Sequence, residues 1–234
     1  MTEKNRMNAE ERKQAIINAA KPLFAKKGFN GVSVRDIAKA ADVSEALLYR
    51  HFPSKEAMYK DILDYSGRLM TISIEEMKKT EPGVEVLIHL VYTLFQVILF
   101  EVPGKVNDQR IHERLLFYSL LENADFAKIF FKKIYKSFYD IMEINYQAGL
   151  KSGDIIRINI RGDNLFWFLH HLAMGLNICH LFDKPAFSYK GSKEEMVEDA
   201  IKFVLRGAGV TEKAINDYMK SENKMSLIAK IKKM

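Results

Sequence analysis

Residues 49–51 read Tyr-Arg-His, and Lys55 follows one helical turn later. A phenol, a guanidinium, an imidazole and an ammonium all donate hydrogen bonds to phosphate oxygens, and two of them carry fixed positive charge. Such a set suits a polyanion, above all the sugar-phosphate backbone of nucleic acid. Covalent catalysis finds less support. The chain has no Gly-x-Ser-x-Gly, no phosphate-binding glycine loop and no Gly-x-Gly-x-x-Gly, and Gly207-Ala208-Gly209 reads as a helix stop without the strand a dinucleotide site needs. No catalytic residue and no cofactor is expected. His170, His171, Cys179, His180 and Asp183 invite a metal reading, but no Cys-x-x-Cys or His-x-x-x-His pair supports it, and no metal is expected.

The elements that would position these groups are helices. Asn8 with Glu11, Ser33 with Asp36, and Ser192 with Glu195 each have the spacing of a capping box. The first helix carries Ile16, Ala20, Leu23 and Phe24 on one stripe and ends at Gly28, with Pro22 predicting a bend. A two-turn helix follows from Ser33 with Val34, Ile37, Ala38 and Ala41 on one face, then a tight turn at Asp42-Val43. Ser44 caps a third helix that runs to Pro53, and Ser54 caps a longer fourth carrying Met58, Ile62, Leu63, Tyr65, Leu69 and Met70. Helical patterns continue over 84–101, 107–123, 125–149, 163–182 and 193–207, with IIRINI at 155–160 expected to lie extended. No stretch alternates with period two for long enough to build a sheet, so the fold class is all-α.

Two short helices joined by a tight turn, the second amphipathic and basic, form a helix-turn-helix. On its third helix Leu48 and Phe52 are one turn apart and must face the first two helices, which turns Glu45, Ala46, Tyr49 and Arg50 toward solvent. A helix fits the major groove, and its N-terminal residues reach base edges. The helix starts at Ser33 and Ser44 offer free backbone N–H groups to phosphate, and Tyr49, His51 and Lys55 add side-chain donors. His51 could instead pack or cap beside Phe52.

Charge agrees with this division. Residues 1–60 hold 12 Lys and Arg against 7 Asp and Glu, residues 61–210 hold 18 against 20, and the tail 211–234 holds 6 against 3. A basic first segment on a near-neutral body fits a polyanion partner, though a solvated basic surface would look the same. With 48% apolar residues the chain is globular, and the single cysteine, Cys179, suits a reducing cytoplasm. No apolar run is long enough to span a bilayer and the first residues are polar, so a cytoplasmic protein with no membrane partner is expected.

The run FAKKGFNGVSVRDIAKAADVSEALLYRHFPSKEAMY resembles the N-terminal DNA-binding domain of the tetracycline-repressor (TetR) family of bacterial transcription regulators. The shared elements are Leu23-Phe24, Gly28-Phe29, the start Ser33-Val34-Arg35-Asp36-Ile37-Ala38, Val43-Ser44, Leu48-Tyr49, His51-Phe52 and Lys55-Glu56. The resemblance implies that Arg35 reaches a base or phosphate from the second helix, whereas the residues alone also allow a pair with Asp36 or Asp42. It implies that Glu45, Ala46 and Arg50 lie against bases or neighbouring phosphates, and that Tyr49, His51 and Lys55 grip phosphate. Asp42 stands where the family usually has glycine, and aspartate tolerates a left-handed turn better than most residues. Glu45 is acidic where a polar or basic residue is common.

The resemblance further implies a three-helix DNA-binding domain at 1–55 and a larger helical ligand-binding and dimerisation domain at 56–234. The protein would be a homodimeric repressor released from a palindromic operator on double-stranded DNA by a small-molecule effector. Cavity-grade residues are Trp167, His171, Met174 and Ile178 on one stripe, with Phe95, Arg114, Phe117, Tyr118, Phe138 and Tyr139 on other helices; a small apolar or aromatic ligand would suit them, and ordinary core or interface is the alternative. The stripes Phe166-His170-Ala173-Asn177 and Met196-Ala200-Phe203-Val204 read as the subunit interface, with Gly175 allowing close approach. Two other classes stay open: a helical enzyme, which turnover on metabolites without DNA binding would reveal, and an interaction scaffold with basic ends, which would hold a protein partner at high salt. The tail 213–234 reads as a basic amphipathic helix.

Overall fold

Three helices begin on the same local device. Asn8, Ser33 and Ser192 accept hydrogen bonds from the backbone N–H three residues on, while Glu11, Asp36 and Glu195 reach back to the cap's own N–H. Those backbone donors hold the Asp36 and Glu195 carboxyls below their usual range. The computed structural model describes residues 7–64, 77–100, 106–122, 124–180 and 188–221. Its helices are α1 (Ala9–Lys27), α2 (Val34–Ala40), α3 (Glu45–His51), α4 (Lys55–Asp64), α5 (Val84–Leu99), α6 (Val106–Leu121), α7 (Asp125–Ser152), α8 (Gly162–His180), α9 (Lys193–Gly207) and α10 (Glu212–Lys220). Among the described residues there is no strand, only an isolated antiparallel bridge between Ile155 and Val210. The fold is all-α. Leu63, Tyr65, Leu69 and Met70 of the expected fourth-helix stripe, and the tail beyond Ser221, lie outside the described side chains.

Contacts divide the chain into two compact units. The first joins residues 1–68 to residues 107–133, so α6 and the start of α7 complete it. Ile16, Ala20 and Phe24 of α1, Ile37 and Ala38 of α2, Leu48 and Phe52 of α3, and Met58 and Ile62 of α4 are all buried. Pro22 lies inside α1, which is helical from Ala9 to Lys27 around it. Phe24, Phe29 and Tyr59 form an aromatic triad, with centroids 5.0 Å apart for Phe24–Tyr59 and 5.1 Å for Phe29–Tyr59. From beneath, α6 closes the triad: the Tyr59 hydroxyl donates to the Leu115 carbonyl at 3.2 Å, and Tyr118 donates to the Lys26 carbonyl at 3.3 Å. Burial pushes the Tyr59 phenol pKa well up, with the nearby Glu122 charge adding to it.

Between α2 and α3 the chain reverses on two hydrogen bonds, Val43 N–H to Ala38 carbonyl at 3.0 Å and Asp42 N–H to Lys39 carbonyl at 3.4 Å. This closure needs a left-handed residue after the helix cap, and Asp42 supplies it at φ 52°. At the end of α9 the same paired bonds recur, Val210 to Leu205 and Gly209 to Arg206, with Gly209 at φ 83°. There a glycine is required twice over, because a Cβ would stand 2.1 Å from the Ile156 carbonyl oxygen.

The second unit comprises residues 69–106 and 134–234. The helix α5 is apolar nearly all round and is accordingly its centre, packed by α8, α9 and α10. Polar groups carried inward find partners: Thr93 donates to the His89 carbonyl, and the His89 ring and Tyr218 hydroxyl share a 2.9 Å hydrogen bond. The extended stretch after α7 is held by Ile156 N–H to the Gly209 carbonyl at 2.8 Å and Thr211 N–H to the Asp154 carbonyl at 2.9 Å. His170 of α8 is 6% exposed, and burial, helped by the neighbouring His171, lowers its pKa to about 4.

Two predictions follow from these local environments. The unfolded chain protonates His170 near 6.5 while the folded chain does so only near 4. Its contribution is therefore fully present above pH 6.5 and is lost as pH falls toward 4; urea titrations across this window should show stability falling, and His170→Gln should shrink the dependence. At the α2–α3 turn, Asp42→Gly should change the unfolding free energy by no more than ~1 kcal/mol, whereas Asp42→Val should lower it by roughly 1–2 kcal/mol.

Candidate nucleic-acid interface

Burial of Leu48 and Phe52, at 0% and 1% exposure, fixes the rotation of α3 about its axis. The opposite face must then point outward, and Glu45, Ala46, Tyr49 and Arg50 are all exposed. Tyr49 is half in solvent despite its apolar ring. Ser44 caps α3 by accepting from the Leu47 N–H at 3.1 Å, and Ser33 accepts from Asp36 N–H at 3.1 Å. Both serines are exposed, so two helix starts lie on the surface of the unit that carries α3. On α2, Arg35 is exposed, and its carboxylate neighbour Asp36 is held by Ser33 and lies 3.9 Å from Lys27. Among the described residues no ion pair involves Arg35, so the alternative pairing with Asp36 or Asp42 is absent there. His51, in the last turn of α3, is half-buried.

Lys39 was not singled out in the sequence. It is exposed one turn beyond Arg35 and gives α2 a second cation on the same face. The i, i+4 spacing was legible; what hid it was the absence of any feature marking that face as outward other than Ile37 and Ala38 opposite. Lys55 departs from its expected place. Its ammonium is turned inward to the α1–α2 turn, donating to the Phe29 carbonyl at 2.9 Å and the Val32 carbonyl at 3.0 Å.

The residues expected to hold a small ligand divide between the two units. Arg114, Phe117 and Tyr118 lie on α6 in the first unit, where the Tyr118 hydroxyl is spent on α1. Phe95 and Phe138 are core of the second unit, at 0% and 2% exposure. Tyr139, Tyr135, Trp167 and His171 form a stacked column, with successive centroids 5.3, 5.1 and 5.5 Å apart. Asp163 accepts the Tyr135 hydroxyl at 2.9 Å, and partial burial with this hydrogen bond pushes the phenol up to about 12. Met174 is buried, while His171 and Ile178 are exposed.

The stripe of α8 expected at a subunit interface lies inward instead. Phe166, His170, Ala173 and Asn177, expected at a subunit interface, are buried in their own unit because this is the face that packs on α5 and α9. The outward face carries Phe168, 58% exposed, with His171, Gly175 and Ile178, and on α9 Phe203 is 70% exposed while Met196 and Val204 are buried. Among the described residues no three His, Cys, Asp or Glu side chains are grouped to hold a metal ion, and no helix is long and apolar enough to cross a membrane. The side chains of His180 and Asp183 lie outside the described residues.

Residues 16–62 match the family model of bacterial regulatory proteins, tetR family. Over 56 residues the chain is 45% identical to an uncharacterized HTH-type transcriptional regulator, YuxN, of Bacillus subtilis, covering 24% of this chain and 19% of that protein. It is 40% identical over 62 residues to the HTH-type transcriptional repressor Rv3405c of Mycobacterium tuberculosis, covering 26% of this chain and 33% of the relative. The matched stretch thus spans a third or less of the length of these curated relatives. Among solved structures, AibR in complex with isovaleryl coenzyme A and operator DNA is similar over 86% of this chain and 100% of that chain, with a TM-score of 0.59 at 18% identity, a likeness of fold. Residues 16–62 thus carry a helix-turn-helix of the kind described by the family model of bacterial regulatory proteins, tetR family.

Proposed function

We propose that the chain is a cytoplasmic, ligand-responsive transcriptional repressor that acts as a homodimer on a palindromic operator, and is not an enzyme. The observation that carries this reading is the exposed face of α3, where Glu45, Ala46, Tyr49 and Arg50 stand opposite the buried Leu48 and Phe52. A helix so presented enters the major groove with Glu45, Ala46 and Arg50 toward base edges, while Tyr49, His51 and the helix starts at Ser33 and Ser44 approach phosphates. Arg35 adds a base or phosphate contact from α2, with Lys39 beside it. Glu45 can accept a hydrogen bond from a cytosine amino group. Residues 1–55 carry the DNA contacts and residues 56–234 the effector site and dimer face.

A palindromic site needs two reading helices about 34–36 Å apart, and hence two copies of this chain. The outward apolar face of α8 and α9, with Phe168, Ile178 and Phe203, supports pairing with a second copy in a self-complementary four-helix contact. A small apolar or aromatic effector is supported by the half-exposed Tyr139–Tyr135–Trp167 stack in the second unit. By releasing the operator it would act through a difference in affinity for two arrangements of the dimer, and the operator would weaken effector binding equally. The repressor named among the relatives, and the effector and operator found with AibR, lend the same direction.

The test is gel-shift titration against genomic fragments flanking the gene. Affinity should fall steeply with salt, and a flat response or no binding would sink the reading. Arg50→Ala should weaken the best site by roughly 1–3 kcal/mol and relax its sequence preference. Light scattering should show a dimer that Phe203→Glu converts to a monomer while leaving the circular dichroism of the helices intact.

A further inference from the structure

We propose that Lys55 is a positioning residue of the DNA-binding face and not a phosphate contact, its ammonium serving as a three-sided strap that sets where α2 begins. The proposal rests on the reading of that face as DNA-binding. An ammonium has three donors and no acceptor. In Lys55 two of them go to the Phe29 and Val32 carbonyls, at 2.9 and 3.0 Å. The remaining side faces the Phe29 ring, whose centroid is 4.1 Å from Nζ. No donor is left over for a phosphate oxygen unless one of these contacts breaks.

The groups it holds explain the consequence. Phe29 and Val32 are the two ends of the turn between α1 and α2, and Val32 is buried immediately before the α2 cap Ser33. The Phe29 ring is also held by Tyr59, one helical turn after Lys55 on α4. The helix α4 therefore grips this turn with two side chains from one face, one polar and one aromatic. The direction in which Ser33 and Arg35 leave the turn follows from that grip. Lys55 acts on DNA affinity through them.

Salt dependence separates the strap from a phosphate contact. Each phosphate neutralised adds about 0.9 to the slope of log affinity against log salt, whereas a residue acting by position shifts the line without tilting it. The probe is a short fluorescently labelled duplex of arbitrary sequence, titrated by anisotropy over a series of KCl concentrations. Lys55→Met should weaken binding roughly tenfold at every salt concentration, as expected for losing charge-assisted hydrogen bonds, with the slope unchanged. Arg35→Met should lower the slope by about one. A slope lowered by about one in Lys55→Met would overturn the strap while leaving the DNA reading intact; absence of salt-dependent binding in the wild type would overturn both. A measurement that needs no variant is acetylation of the intact protein by acetic anhydride, read by mass spectrometry. Lys55 should react much more slowly than Lys39 both with and without the duplex. Equal reactivity in the free protein, with protection of Lys55 appearing only on the duplex, would overturn the proposal.

Discussion

The burial of two side chains one turn apart, Leu48 and Phe52, is the constraint from which the outward face of α3 follows. A seven-residue helix has too few internal hydrogen bonds to persist alone, so α3 exists because it is packed. Fully burying a leucine and a phenylalanine contributes on the order of 1.5–3 kcal/mol each, enough to fix the helix's rotation as well as its presence. Lys13 lies over the Phe52 ring at 5.5 Å and reaches Asp61 at 2.7 Å, so α1 and α4 brace the same anchor. The outward residues need no packing of their own. They are free to vary in chemistry, and an exposed Tyr49 beside an acidic Glu45 is tolerated because neither has a structural duty.

The second unit solves a different problem. Its central helix is apolar on almost every face, yet carries His89, Tyr92 and Thr93. Burial raises the Tyr92 and Tyr218 phenols well above their usual range, and both stay neutral hydrogen-bonding groups at any physiological pH. The Tyr92 hydroxyl meets the Met219 sulfur at 2.7 Å, and Tyr218 meets His89, so α10 is attached to α5 by polar contacts as well as by packing. Polar pairs in an otherwise apolar core favour one register of α10 over its neighbours.

What was legible in the sequence was local. The caps at Asn8, Ser33, Ser44 and Ser192, the left-handed turn at Asp42 and the inward pair Leu48 and Phe52 are all encoded within four or five residues. What was not legible depends on distant partners. No local spacing announces that the Lys55 ammonium meets the Phe29 and Val32 carbonyls, or that the Tyr118 hydroxyl meets the Lys26 carbonyl. On α8 both stripes are apolar enough to be buried, and only the position of α5 decides between them. A period of 3.6 tells how many faces a helix has, not which neighbour claims each.

The pairing of Tyr59 with Leu115 has a temporal meaning. During synthesis the first four helices leave the ribosome long before α6 exists, so the aromatic triad waits with one side uncovered until α6 is made. A unit assembled from two sequence-distant pieces closes late, and its early helices are the ones exposed to premature association in the meantime. The family-model match ends at residue 62, short of the second piece. The most recognisable part of the molecule is thus not a self-sufficient module, and an excised fragment ending there would lack its floor.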